Sequence, residues 1–185
     1  MSRLFTLFAL VCLALPAAAQ DCTIAVYGDP AGDLPTTCAD RGQVLTIYVL
    51  IHAEDTVAAA AYSLVIDART TLFLQGRTSG PSGNGLVIDE PGGTNVALGE
   101  CVIGFGGNQV LVDEYRFFMV DPNAATAFWV EPNIDQDPDN PLYVTCTDVI
   151  KPCAPGPVFS TDWDCWGLPS DARSFGAVKS LFHNE

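Results

Sequence analysis

Three aspartates at alternate positions, Asp135, Asp137 and Asp139, lie in the stretch NIDQDPDNP at residues 133–141. Alternate carboxylates on an irregular loop can direct several oxygens to one point, and calcium takes about six to eight oxygen ligands. The spacing matches only the first three ligand positions of an EF-hand. Asn140 stands where that loop needs glycine and Cys146 where it needs a bidentate glutamate, which excludes an EF-hand. Two alternatives stay open, a looser calcium site and an acidic turn between strands, and we favour the turn.

Two tryptophans, Trp163 and Trp166, lie in the irregular stretch TDWDCW. Exposed aromatic faces stack on sugars, so a carbohydrate-binding module is one interpretation of this pair. The alternative is that both rings pack over a neighbouring disulfide as a small satellite core, and we favour this packing. Trp129 follows Phe128 in the apolar segment AFWVEP, and we expect it in the core.

Hydrolytic chemistry needs a nucleophile, a base and a group that orients the base. His52 lies inside the apolar segment YVLIHAED, which predicts a half-buried strand residue rather than a base. Asp113 and Glu114 are neighbours in a strand-like segment, so they face opposite sides and cannot form a carboxylate pair. The segment GPSGNG fails the spacing of a nucleophile elbow. We therefore expect no catalytic residues and no enzymatic activity, with a hydrolase of unrecognised site as the remaining alternative.

Six cysteines follow the first twenty residues, an even number that predicts three disulfides in an exported chain. No C-x-x-C pair is present, which disfavours structural zinc. Loop length favours Cys22 with Cys38 and Cys146 with Cys153, and elimination then pairs Cys101 with Cys165, although six cysteines permit fifteen pairings.

The N-terminus, residues 1–19, has the pattern of a signal peptide. Arg3 precedes an apolar run of about a dozen residues, which is short of the roughly 20 needed to span a bilayer. Ala17, Ala18 and Ala19 supply the small residues of a cleavage site. We predict a secreted or periplasmic protein with no membrane span after the signal is removed.

Acidity dominates the rest of the chain. The sequence contains 22 Asp and Glu against 8 Lys and Arg, with a net charge of −14. Nucleic acid and anionic membranes repel such a surface, so neither is expected as a partner. High hydrophobic and low charged content predicts a folded domain.

Strand patterns fill residues 20–170. The segment QVLTIYVLIHA is apolar on both alternations, which predicts a buried central strand. In the segment AAAAYSLVID, the alanines favour a helix, whereas the second half favours a strand. The segments TNVALG and CVIGFGG are predicted to form two separate short strands. About eight to ten such strands with Gly and Pro turns predict an antiparallel all-β sandwich or barrel in one domain.

The C-terminal tail, residues 171–185, has a helical pattern. Phe175, Val178, Leu181 and Phe182 recur three and four residues apart, which places them on one side of a short helix. Docking or export is one role for such a tail, and packing on the domain is the other; the sequence does not separate them.

The ordering YGDPAG, VLTIYVLI and AFWVEP followed by an acidic turn resembles uncharacterised exported bacterial proteins built as single β-sandwiches of cohesin-like or immunoglobulin-like type. The ending SFGAVKSLF also resembles short tails of exported bacterial proteins. The resemblance implies the fold and assigns no functional residue. Cohesins recognise dockerin modules, but this chain has no dockerin-like segment and more cysteines than cohesins usually carry.

The sequence thus favours an exported, non-catalytic β-sandwich with a binding or structural role at the cell exterior. Its expected partner is a protein or a glycan there. No cofactor is expected, apart from calcium if the looser site at Asp135, Asp137 and Asp139 forms.

Overall fold

The computed structural model describes residues 22–33, 36–37, 44–68, 72–103, 109–120 and 126–161. The expected signal peptide and C-terminal tail lie outside these ranges. The described residues form thirteen strands: β1 (Cys22–Tyr27), β2 (Thr36–Thr37), β3 (Val44–Ala53), β4 (Thr56–Ala68), β5 (Leu72–Ser79), β6 (Leu86–Glu90), β7 (Gly93–Ile103), β8 (Gln109–Met119), β9 (Thr126–Glu131), β10 (Leu142–Val144), β11 (Ile150–Pro152), β12 (Ala154–Pro155) and β13 (Phe159–Thr161). Within these ranges there is no helix long and apolar enough to cross a membrane.

The strands form two sheets that face each other, which confirms the all-β sandwich. The first sheet has the order β12-β1-β3-β8-β5, and the second has the order β11-β10-β4-β9-β13-β2. In the second sheet, β7 pairs with the edge of β4 that faces away from β10, and β6 pairs with β7. All pairings are antiparallel apart from β1 with β12 and β13 with β2.

Alternating side chains from both sheets fill the space between them. Fully buried residues from β3 and β8 meet aromatic side chains from β4, β9 and β13, which include Tyr62, Phe128 and Phe159. The predicted central strand is confirmed, because β3 pairs with β1 on one edge and β8 on the other. One face of β3, which includes Ile51, lies in the main core, and Leu50 on the other face belongs to a second small cluster.

Two strand predictions need correction. The alanines at 58–61 belong to the same strand as YSLVID, because β4 runs unbroken from Thr56 to Ala68 between partners on both edges. Likewise TNVALG and CVIGFGG do not form two strands, since β7 continues through a bulge. Gly99 occupies the bulge with φ 76°, a conformation that glycine adopts without steric cost. In both cases pairing with neighbouring strands outweighs local propensity.

The disulfide pairing expected from loop length is wrong. Cys22 bonds to Cys153 rather than to Cys38, and Cys146 bonds to Cys101 rather than to Cys153. The first bond follows from parallel pairing of β1 with β12, which places Thr23 opposite Ala154. Cys38 and Cys165 lie outside the described residues.

A buried polar cluster lies beside β5 and β8 of the first sheet and connects that sheet to the second one. The carboxylate of Asp113 is fully buried and accepts hydrogen bonds from Nε of Arg77 at 3.0 Å and from Nη2 at 2.7 Å. The hydroxyls of Tyr62 and Ser79 also donate to Asp113. Burial raises the pKa of Tyr62, so this phenol stays protonated and can donate.

Candidate functional site

An apolar groove runs across the outer face of the second sheet. Cross-strand pairing aligns two rows of outward-facing side chains over β6, β7, β4, β10 and β11. One row is Leu86, Ala97, Ala59, Val144 and Ile150, and the other is Ile88, Asn95, Ala61, Leu142 and Pro152. We call this surface the apolar groove; its cavity is about 190 Å³.

The groove is concave because small residues form its floor and large residues form its walls. Ala59 and Ala61 of β4 lie in the centre, where their methyl groups leave space above the sheet. Leu86 of β6 is 65% exposed, and Ile150 on the opposite side is also 65% exposed. The β6 and β10 walls are separated by three strand spacings, roughly 14 Å. A helix is about 10–12 Å across with its side chains, so the groove is wide enough for one.

One end of the groove is acidic. The β9–β10 connector, residues 132–141, packs here against the turn between β6 and β7. The backbone N–H of Gly92 donates to Asp135, and the N–H of Ile134 donates to the carbonyl of Gly92. Gln136 from this connector lines the groove itself. Glu90, at the end of β6, pairs with Gly93 at the same turn, so carboxylates gather around this end.

The other end is tied by a disulfide. Cys101 on β7 bonds to Cys146, which follows β10, so the bond links the two strands that flank β4. The N–H of Cys146 also donates to the hydroxyl of Thr56, the first residue of β4. Close by, Lys151 forms an ion pair with Asp55. The strands on the two sides of β4 are therefore cross-linked beside its first residues.

The β6 wall is held by the buried polar cluster. Arg77 uses Nη1 to contact Asp89 of β6 at 2.8 Å while its other nitrogens contact Asp113. The hydroxyl of Thr94 on β7 donates to the same oxygen of Asp89 at 2.7 Å. Asp89 lies on the face of β6 that is directed toward the interior of the sandwich. Leu86 and Ile88 lie on the opposite face and therefore line the groove. An edge strand with few contacts of its own is thereby fixed in position.

The acidic connector folds as a series of turns between β9 and β10. Asp137 accepts from the N–H groups of Asp139 and Asn140, and the side chain of Asn133 accepts from the N–H of Asp135. Within the described ranges, no three His, Cys, Asp or Glu side chains gather as a metal-binding set. The choice between a plain acidic turn, which we favour, and a looser calcium site is to be tested in solution.

The tryptophans divide into two cases. Trp163 and Trp166 lie outside the described residues, so both the packing that we favour and the alternative of sugar binding stay untested. Trp129 was expected in the core, and this is wrong: it is half-buried on β9, and its indole N–H donates to Glu131 at 2.8 Å. Phe128 takes the inward position instead, because adjacent residues of a strand face opposite sides.

The neighbourhood of His52 does not form an acid–base pair. As predicted, the residue is half-buried on β3, and its Nε2 lies 3.5 Å from the hydroxyl of Tyr27. Burial lowers the pKa of His52. Asp113 and Glu114 face opposite sides of β8, as expected: Asp113 is buried and Glu114 contacts Arg116.

Sequence reasoning missed the groove. A signal was present, since Leu86 and Ile88 alternate on a strand that ends in Asp89 and Glu90, and since the alanine run lies in a strand. Period-two alternation shows that one face of each strand is apolar. It does not show that the outward apolar faces of five strands adjoin, because that depends on strand order.

No protein-family model matches the sequence, and no curated protein matches it. Solved structures share its fold. CaCohA2 of Clostridium acetobutylicum, solved in complex with CaDoc0917, is 12% identical with a TM-score of 0.52, covering 76% of this chain and 97% of that chain. A cohesin module from a Clostridium perfringens family 33 glycoside hydrolase is 14% identical, covering 77% and 96%, with a TM-score of 0.48. A non-cellulosomal cohesin from Archaeoglobus fulgidus is 12% identical, covering 89% and 99%, with a TM-score of 0.46. The similarity to CaCohA2 shows that the sandwich is cohesin-like in fold.

Proposed function

We propose that this protein is an exported, non-catalytic module that binds another protein through the apolar groove. The single observation that carries the proposal is the groove itself: large exposed apolar side chains flank an alanine floor on a disulfide-linked sheet. Contiguous exposed apolar surface on a folded domain is typical of interaction sites. The similar structure of CaCohA2 was solved with a protein bound to it, which supports a protein partner for this fold.

The shape of the groove favours an amphipathic helix as the part of the partner that binds. A helix places apolar residues at i, i+3, i+4 and i+7 along one stripe, and such a stripe fits between two walls of larger side chains. An extended strand is less favoured here, because the groove lies on a sheet face whose backbone groups are already paired in β7, β4 and β10.

Charge defines the partner further. Carboxylates of Glu90 and Asp135 lie near one end of the groove, and the whole chain carries a net charge of −14. Two described cations lie close to the groove, and both are paired: Lys151 with Asp55, and Arg77 with Asp89 and Asp113. A helix with basic residues beside its apolar stripe therefore complements the groove, while a helix with acidic flanks is repelled.

The test uses a fluorescein-labelled synthetic amphipathic helix of about 15 residues, with leucines on one stripe and arginines on its flanks. Fluorescence anisotropy with the full chain should show saturable binding. Leu86→Lys removes part of one wall and adds a repelling charge, and it should weaken binding at least about tenfold. A peptide with glutamates in place of the arginines should bind more weakly than the basic one.

Val158→Lys is the matched control, since Val158 is 54% exposed and does not line the groove. Thermal melting of each variant must match the parent, so that a loss of binding is not a loss of folding. Equal affinity of the parent, Leu86→Lys and Val158→Lys for the basic peptide would show that the groove is not the binding face.

A further inference from the structure

The apolar groove has a matching occupant in the same chain. The C-terminal tail, residues 171–185, carries an apolar stripe of Phe175, Val178, Leu181 and Phe182 at helical spacing. It also carries Arg173 and Lys179, two basic residues in a chain with only eight. The tail therefore has the apolar stripe and the helical period that the groove requires of a ligand. Asp171 and Glu185 balance its two basic residues, so the tail is formally neutral in a chain with a net charge of −14.

The connecting chain is long enough to reach. The described residues end at Thr161 of β13, which pairs through Thr126 of β9 to Ala68 at the end of β4. The groove floor at Ala61 lies seven residues back along β4, roughly 23 Å away along the strand and about 25 Å when two strand spacings are included. Residues 162–170 allow a span of about 33 Å between Thr161 and the start of the tail.

Direction and charge agree with this path. A chain that comes from the Ala68 end of β4 meets the acidic end of the groove first, where Glu90 and Asp135 lie. Arg173 is near the start of the tail, two residues after Asp171, so its guanidinium can reach these carboxylates. A helical tail of fifteen residues is about 22 Å long, close to the roughly 20 Å from Thr56 to Tyr62 along β4.

We propose that the C-terminal tail docks in the apolar groove of its own chain and competes there with the partner protein. This proposal rests on the function proposed above, since it makes the tail an internal regulator of the same binding face. Because the tail is tethered, its effective concentration at the groove is on the order of millimolar, so even weak docking reduces partner affinity.

Photocrosslinking in the full chain tests the placement. With p-benzoylphenylalanine in place of Phe182, irradiation should link the tail to peptides containing Leu86, Ile88 or Val144, at the mass of one chain. The same photoreactive residue in place of Val158 should give no such link to β6. Crosslinks at twice the chain mass would assign the tail to a second copy, and crosslinks to the other sheet or none at all would place it elsewhere; each result overturns the proposal.

Affinity for the basic probe peptide separates this proposal from the previous one. In the full chain, Phe175→Ser with Phe182→Ser should release the tail and tighten probe binding by about tenfold. Arg173→Glu with Lys179→Glu should shift affinity in the same direction. Equal probe binding by the parent and the tail variants would refute tail docking and leave the groove function intact. Absence of probe binding in all of them would refute both.

Discussion

Arg77 and Asp113 form a two-point hydrogen-bonded ion pair across β5 and β8, with Asp113 fully buried and the side chain of Arg77 only 14% exposed. Burial opposes the charge of Arg77, but its hydrogen bonds to Asp113 outweigh this and raise the pKa of Arg77. The third contact of the guanidinium, to Asp89, lies on the other sheet. One arginine therefore fixes both the sandwich edge and the β6 wall of the groove.

Loss of that arginine should be costly. Arg77→Met leaves the buried carboxylate of Asp113 without its counter-charge, and we expect a loss of about 3–5 kcal/mol in the free energy of unfolding. The double variant Arg77→Met with Asp113→Asn should lose less than the sum of the two single variants, because each single change leaves one charge unpaired. Urea unfolding measures all three.

Arg116→Met is the matched control for this series. Its side chain is 54% exposed and pairs with Glu114 at 3.2 Å, so we expect a change within about 0.5 kcal/mol. If Arg77→Met and Arg116→Met cost the same, the buried pair does not hold the edge of the sandwich.

The two described disulfides should stabilise the chain to different extents. They close loops with sequence separations of 131 and 45 residues, for which the chain-entropy relation gives about 5 and about 4 kcal/mol. Replacing Cys22 and Cys153 together by alanine should therefore lower stability more than replacing Cys101 and Cys146. Peptide mapping without reduction should recover Cys22 linked to Cys153, and recovery of Cys22 linked to Cys38 would contradict the structure.

Stability should decrease as the pH falls below about 6.5, the ordinary pKa of histidine. Burial lowers the pKa of His52 in the folded protein, so between the folded and unfolded pKa values the unfolded chain binds more protons. The free energy of unfolding then falls with decreasing pH across that window. His52→Gln should flatten the slope measured by urea unfolding near pH 6. An unchanged slope in His52→Gln would assign it to other groups.

Calcium should not change the melting temperature. The carboxylates of Asp135 and Asp137 accept hydrogen bonds from backbone N–H groups of the connector and the β6–β7 turn. Among the described residues, no three His, Cys, Asp or Glu side chains gather as a metal-binding set. Melting curves at millimolar calcium and with chelator should coincide. A rise with calcium that disappears in Asp137→Asn would instead establish the looser site.

The sequence predicted features that depend on short segments. The apolar alternation of QVLTIYVLIHA identified β3 as a central strand, and the prolines and aspartates at 132–141 identified a turn. The half-buried position of His52 and the opposite facing of Asp113 and Glu114 followed from period-two geometry alone. In each case the physical cause acts over a few residues, so the pattern is visible in the linear chain.

The predictions were wrong where segments far apart in the sequence determine the local structure. The alanines at 58–61 favour helix locally, but β7 and β10 pair with both edges of the strand. Cys22 is close in sequence to Cys38, but the parallel pairing of β1 with β12 places it beside Cys153. Local secondary-structure propensity contributes less than about 1 kcal/mol per residue. The free energy gained by burial between the sheets is larger.

By itself, the sequence determined the class of fold, the acidity of the surface and the identity of the buried strands, because these depend on composition and on alternation within one segment. Only the tertiary structure decided the disulfide partners, the pairing of Arg77 with Asp113 and the existence of the apolar groove. The groove joins residues from 59 to 152, and its two rows of side chains exist only in the strand order β6-β7-β4-β10-β11. Strand order is set by the cooperative burial of the whole sandwich, which no single segment encodes.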